Sequence, residues 1–337
     1  MATCYWTGAA ADNSWNSNGN WSGVVPVNDD TVIFDGRVTT DANRNCTVGM
    51  DQSAVHIDYL RVMPSYTGTI GAANGPLKIG VDVNSYIGGS GDYYIQCAQG
   101  AADFTIPDTT IDSSGIVGLS SQKNAVAGNV SKWNIVKVVR GTVYFYGLQD
   151  IADTGAEAGT CVSILYISPT SGRGAKVAVT IGDGCSDNKN TVNINMFVLD
   201  GTVTCYSEIN ILYQFGGTVN IGGTTYDMDD ADDDCTTLNL FDGTLAWEPT
   251  DTAATPDSAS PSPTIGTVRV FGGTFDASGM LKKGDTTRPT ISVMELYPGA
   301  TANMDNGVTD SDSILISTLR KFGGTLKSPP LKSYTLS

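Results

Sequence analysis

Val268-Arg-Val-Phe-Gly-Gly-Thr-Phe275 is one copy of a pattern that recurs along the chain. It returns as Trp133-Asn-Ile-Val-Lys-Val-Val-Arg-Gly-Thr-Val-Tyr-Phe-Tyr146 and as Ile209-Asn-Ile-Leu-Tyr-Gln-Phe-Gly-Gly-Thr-Val-Asn-Ile221. It returns again as Leu238-Asn-Leu-Phe-Asp-Gly-Thr-Leu-Ala-Trp247 and as Ile314-Leu-Ile-Ser-Thr-Leu-Arg-Lys-Phe-Gly-Gly-Thr-Leu326. Each copy is an alternating apolar and polar run, a glycine followed by threonine, and a second alternating run. Alternation with period two is the mark of a half-buried strand. The glycines Gly141, Gly217, Gly243, Gly273 and Gly324 read as corners between two strands. Weaker copies carry Gly68-Thr69, Gly174-Ala175, Gly201-Thr202 and Gly299-Ala300.

The spacing of these glycines sets the architecture. Gly217 to Gly243 is a step of 26, and the next steps, to 273, 299 and 324, are 30, 26 and 25. Upstream, 141 to 174 is 33 and 174 to 201 is 27. A repeat of this length marks a solenoid or array, in which no unit buries its apolar face alone and stacked units share one interior. A propeller blade needs about 40–45 residues. The expected fold is therefore all-β: a single-stranded, right-handed parallel β-helix of roughly ten rungs of ~26 residues. Two places resist the pattern. The step from 201 to 217 is only 16, which predicts that one of those glycines sits on another face. Between 68 and 141 no anchor is visible. Polar insertions such as 250–263, with Pro256, Pro261 and Pro263, read as protruding loops.

Composition narrows the function classes. Glycine stands at 39 of 337 residues and charged residues at 16%, which disfavours helical bundles and coiled coils. A net charge of −16 argues against nucleic acid, because phosphate binding needs a basic face. The 40% apolar content is too high for a disordered chain. No apolar stretch reaches the length of a membrane span, and Met1–Trp6 carries neither the basic nor the apolar part of a secretory signal. The seven scattered cysteines form no CxxC pair and read as reduced, packed thiols.

The N-terminal block reads Trp6-Thr-Gly8, Trp15, Gly19-Asn20-Trp21-Ser-Gly23, Pro26, Asp29-Asp30, then Val32-Ile33-Phe34. Three of the five tryptophans fall here. This opening resembles that of right-handed parallel β-helix proteins of phage virions and bacterial surfaces, including autotransporter-type chains. The resemblance implies a capped solenoid. A first rung exposes an unpaired edge and an open apolar end, and Trp6, Trp15 and Trp21 are the residues expected to cap it. The expected organisation is a cap and first strand over 1–45, the β-helix over 46–330 and a tail over 331–337.

The search for chemistry returns little. The one histidine, His56, lies in Ala54-Val-His-Ile-Asp-Tyr-Leu60. Alternation groups it with Asp58 and Leu60, opposite Val55, Ile57 and Tyr59. That makes it a general base beside Asp58 or, the plainer reading, a surface strand residue. The densest acidic run, Asp227-Met-Asp229-Asp230-Ala-Asp232-Asp233-Asp234, offers Asp229, Asp230, Asp232 and Asp233 to Ca2+ or Mg2+, although it lacks an EF-hand's glycine and terminal glutamate. A solvated acidic turn is the alternative. No other cofactor is implied, and no triad or paired-carboxylate pattern predicts catalysis. Threonines cluster at the corners and not in T-x-T ladders, so an ice-binding face is not expected.

The resulting expectation is a non-enzymatic structural protein of a phage virion, as capsid decoration or cement, fibre or tail component. It would be made in a host cytoplasm without a signal peptide. Its partners would be further copies of itself, a trimer above all, and other virion proteins, with no membrane. A carbohydrate-binding or carbohydrate-degrading tailspike-like protein that contacts a host glycan is the first alternative, and a bacterial surface adhesin the second.

Overall fold

The computed structural model describes residues 1–39, 44–97, 104–122, 131–149, 159–160, 162–169, 177–182, 186–187, 194–205, 209–222, 235–247, 264–278, 290–304, 314–327 and 335–336. Described secondary structure is almost all strand, and parallel strands stack as a β-solenoid of about nine turns. The chain divides into two compact units, Met1–Asp187 and Asn188–Ser337.

In the second unit each described turn is a strand, a corner of three residues (four at 297–300) and a second strand. The first strands run Ile194–Val198, Ile209–Gln214, Cys235–Leu240, Thr264–Val270, Thr290–Leu296 and Leu315–Lys321. The second strands run Thr202–Cys205, Thr218–Ile221, Thr244–Trp247, Thr274–Asp276, Thr301–Asn303 and Thr325–Lys327. Each pairs in parallel with its counterpart in a neighbouring turn. Alternation decides what goes inside. Leu212, Leu238, Val268, Met294 and Leu319 stack in register in the interior, and so do Val203, Val219, Leu245, Phe275 and Ala302 from the second strands. Burying such a column removes about 1.5–3 kcal/mol worth of apolar surface from water per large side chain.

The corner glycines Gly217, Gly243, Gly273 and Gly324 all have positive φ, between 69° and 90°. Gly201 belongs to the same column, because Thr202 pairs with Thr218. The 16-residue step is thus a complete turn, not a switch of face. A turn is defined by its two strands and corner, and the connection to the next turn carries the length variation.

The first unit fills the gap that the sequence pattern left. Its inner columns run Val32–Leu60–Ser85–Thr109–Val136–Leu165 and Phe34–Val62–Ile87–Ile111–Val138–Ile167. Its corners are Gly68, Gly91, Gly115 and Gly141. A Cβ on Gly91 would lie 1.9 Å from the Gly68 carbonyl oxygen, and one on Gly115 would lie 2.0 Å from that of Gly91. Gly91 and Gly115 are followed by Asp92 and Ile116 instead of threonine, so close backbone approach, and not the Gly-Thr pair, is what the corner demands.

Trp6, Trp15 and Trp21 are buried together. Trp21 meets Trp6 and Trp15 edge to face, with centroids 5.1 and 4.8 Å apart, and all three rings contact Phe34. The Trp21 indole N–H donates to the Trp15 carbonyl at 2.7 Å. Tyr66 continues the cluster inward from Phe34, followed by Tyr93. Burial pushes the Tyr93 phenol up to about 12, so both tyrosines are neutral hydrogen-bonding groups. Tyr93 donates to the Tyr66 carbonyl, and Tyr66 to that of Arg44. Among the described residues, Cys4, Cys46, Cys97, Cys205 and Cys235 are buried and form no disulfide.

Candidate functional site

A polar groove lies on the outer face of the first unit. Where Ser85 and Ile87 point into the interior, Asn84 and Tyr86 necessarily point out. The parallel register then sets side chains in rows. One row runs Arg61, Tyr86, Thr110, Lys137 and Tyr166, and a second runs Asn84, Asp108 and Ile135. Together these rows line a groove of about 690 Å³.

The groove combines two cations, two phenols, an amide and one carboxylate, Asp108. The Arg61 guanidinium carbon stands 5.0 Å from the Tyr59 ring centre. Burial draws the Arg61 pKa below its ordinary value, with Tyr59 acting against it, and the side chain stays charged. The Tyr86 hydroxyl donates to Asp112 at 3.3 Å. The Asn84 Oδ1 oxygen is buried without a hydrogen-bond partner. Aromatic rings and cations suit a long hydroxyl-rich ligand. They do not supply the two facing carboxylates that glycoside hydrolysis uses.

A second cluster surrounds the histidine. Simple alternation fails there, because the register of Asp51–Val62 shifts between Ile57 and Tyr59. Leu60 therefore points inward with Ile57, away from His56, which corrects the grouping of His56 with Leu60. His56 Nδ1 lies 3.5 Å from Asp82, and the imidazole meets the Phe104 ring edge to face at 4.7 Å. Asp29, Asp58 and Asp82 each place a carboxylate oxygen within 4.8 Å of the others. They could hold a hard cation, although Ca2+ takes six to eight oxygens. No sequence signal joins these three, because they come from three separate turns. The acidic run with Asp229, Asp230, Asp232 and Asp233 lies outside the described residues.

The second unit carries an unbroken stack of rings on its surface. Phe215, Phe241, Phe271, Tyr297 and Phe322 stack with successive centroid distances of 4.8, 4.8, 4.5 and 5.0 Å and planes within 26° of parallel. Beside it Glu295 is held between two arginines. Arg320 donates to it at 2.8 Å and Arg269 at 3.1 Å, and the Tyr297 hydroxyl donates at 3.3 Å.

No family model matches the chain, and neither a curated protein nor a solved structure matches it.

Proposed function

We propose that this β-solenoid is a non-enzymatic structural protein of a phage virion, serving as capsid decoration, fibre or tail component. One observation carries the reading: within each unit successive turns are tied by parallel ladders over buried, largely apolar columns. Such a stack has few weak points at which unfolding or proteolysis begins, which is the property a particle exposed to its surroundings needs. Its partners in this reading are other virion proteins and further copies of itself.

The groove favours a second reading, a carbohydrate-binding solenoid. Tyr86, Tyr166, Arg61 and Lys137 on one outer face would grip a host glycan without cleaving it.

Gradient-purified particles from the native source test the first reading. The protein should co-sediment with them at a fixed copy number and withstand protease there. Recovery only as a monomer in a cell-envelope fraction would overturn it. Shortening of a host polysaccharide by the purified protein would overturn both readings.

A further inference from the structure

We propose that the groove of the first unit binds an acidic polysaccharide laid along the solenoid axis, with its anionic groups at Arg61 and Lys137 and its hydroxyls at Asp108. The proposal rests on the carbohydrate-binding reading above and adds the charge and the direction of the ligand.

Charge pairing carries it. The chain has 35 acidic residues against 19 basic, so carboxylates are plentiful. Elsewhere in this unit Arg37 faces Asp35, Lys78 faces Asp51 and Arg140 faces Asp112. Among the described residues, the side chains of Arg61 and Lys137 meet no carboxylate or other hydrogen-bond acceptor, and the Asp108 carboxylate accepts no hydrogen bond. Three charged groups therefore line one groove, and none neutralises another. A half-buried guanidinium without an anion, as at Arg61, carries a desolvation cost that a ligand anion offsets.

The mixture of signs selects the ligand. A phosphodiester chain answers the two cations but brings few donors to Asp108, and the net charge of −16 opposes so dense an anion. A neutral glycan answers Asp108 and leaves both cations unpaired. A sugar chain that carries carboxylates answers all three. Arg61 can take a carboxylate through two parallel N–H donors, and Lys137 can take one as a point charge.

Spacing sets the direction. Arg61 and Lys137 stand three turns apart in one row, and so do Tyr86 and Tyr166. At ~4.8 Å per turn each pair is about 14 Å apart. A cation followed by a ring thus occurs twice along the axis. A pyranose in an extended glycan advances by nearly one turn, so a chain laid along the row meets the same two groups again three sugars on. A chain laid across the row meets one cation alone.

Isothermal titration of the full-length protein tests this with two acidic chains, hexagalacturonate and a sialic acid hexamer, each beside its carboxyl-reduced form. At least one acidic chain should bind with a Kd below about 1 mM and about tenfold or more tighter than its reduced form. Arg61→Gln and Lys137→Gln should each weaken that acidic chain about tenfold and leave the reduced form unchanged, with circular dichroism verifying the fold. Asp108→Asn should weaken both forms. Equal binding of the acidic and reduced forms overturns the proposal and leaves the carbohydrate reading standing. No binding by any of the four overturns both. Acidic-chain binding that survives both glutamine substitutions overturns the proposal, because the anions then sit elsewhere. It is also overturned if octaglutamate or an eight-nucleotide thymidine strand binds as tightly as the better acidic glycan, since charge alone would then suffice.

Discussion

Thr218 lies opposite Thr202 in the parallel ladder, one full turn on, with only 16 residues from 202 to 218. The Thr218 amide donates to the Gly201 carbonyl at 2.8 Å, as Thr244 does to Gly217 at 2.9 Å after a turn of 26. Connection length and turn geometry are therefore separable. Inserting six Gly/Ser residues between Cys205 and Ile209 should cost under about 1 kcal/mol, since closure entropy grows only with the logarithm of length. One extra residue between Gly217 and Thr218 should cost more than about 3 kcal/mol, because it turns the inward side chains of that strand outward. Urea unfolding of both variants measures the contrast, and equal costs would show that the corner does not set the register.

The glycines allow a graded test. At Gly243, φ is +90° and a Cβ would sit 2.4 Å from the Gly217 carbonyl oxygen. At Gly299, φ is also +90° but nothing lies within 4 Å of a Cβ. At Gly75 the space is open and no left-handed φ is required. Gly243→Ala should therefore cost about 3 kcal/mol, Gly299→Ala about 1, and Gly75→Ala roughly nothing. Thermal midpoints of the three variants should fall in that order.

Glu295 makes stability depend on pH. Burial pushes its carboxyl up, but the hydrogen bonds and charge of Arg320, Arg269 and Tyr297 outweigh this, and the net shift is below its ordinary value of 4.5. A group lowered in the folded state contributes stability that is fully present above its unfolded pKa and is lost as pH falls through the folded one. Glu295→Gln should cost about 1 kcal/mol near neutrality, a modest figure because the Arg269 and Arg320 side chains are 38% and 47% exposed. The gap from wild type should narrow below about pH 4. Denaturant midpoints at neutral and acid pH give the answer, and a gap independent of pH would show that packing alone is at stake.

Trp15 is fully buried against Trp21 and Phe34. Trp15→Ala should cost about 3–5 kcal/mol. Trp15→Phe should recover part of that loss. Near-ultraviolet circular dichroism with chemical denaturation distinguishes the two, and an alanine variant as stable as the wild type would remove these rings from the core.

The corners were legible because glycine is forced there by a neighbouring carbonyl. The same cause explains why Gly91 and Gly115 carry no Gly-Thr pair: threonine is common at the next position but not required by the geometry. The ring stack has a sequence signal of its own, an aromatic residue two positions before Gly217, Gly243, Gly273, Gly299 and Gly324. Leu60, grouped with His56 by a strict period of two, points inward because a register shift is invisible to that period. The groove and the Asp29–Asp58–Asp82 cluster could not be read at all. Each is assembled by register across turns, from residues more than twenty positions apart in the chain.

The five buried thiols also make the molecule its own clock. Burial pushes the Cys97 thiol up to about 12 and the Cys46 thiol well above its usual range, so neither offers a thiolate to a reagent while its turn is closed. Cys4, Cys46 and Cys97 sit in the first unit, and Cys205 and Cys235 in the second. The order in which they react with a thiol-specific label under native conditions will rank the opening of individual turns, with no introduced probe.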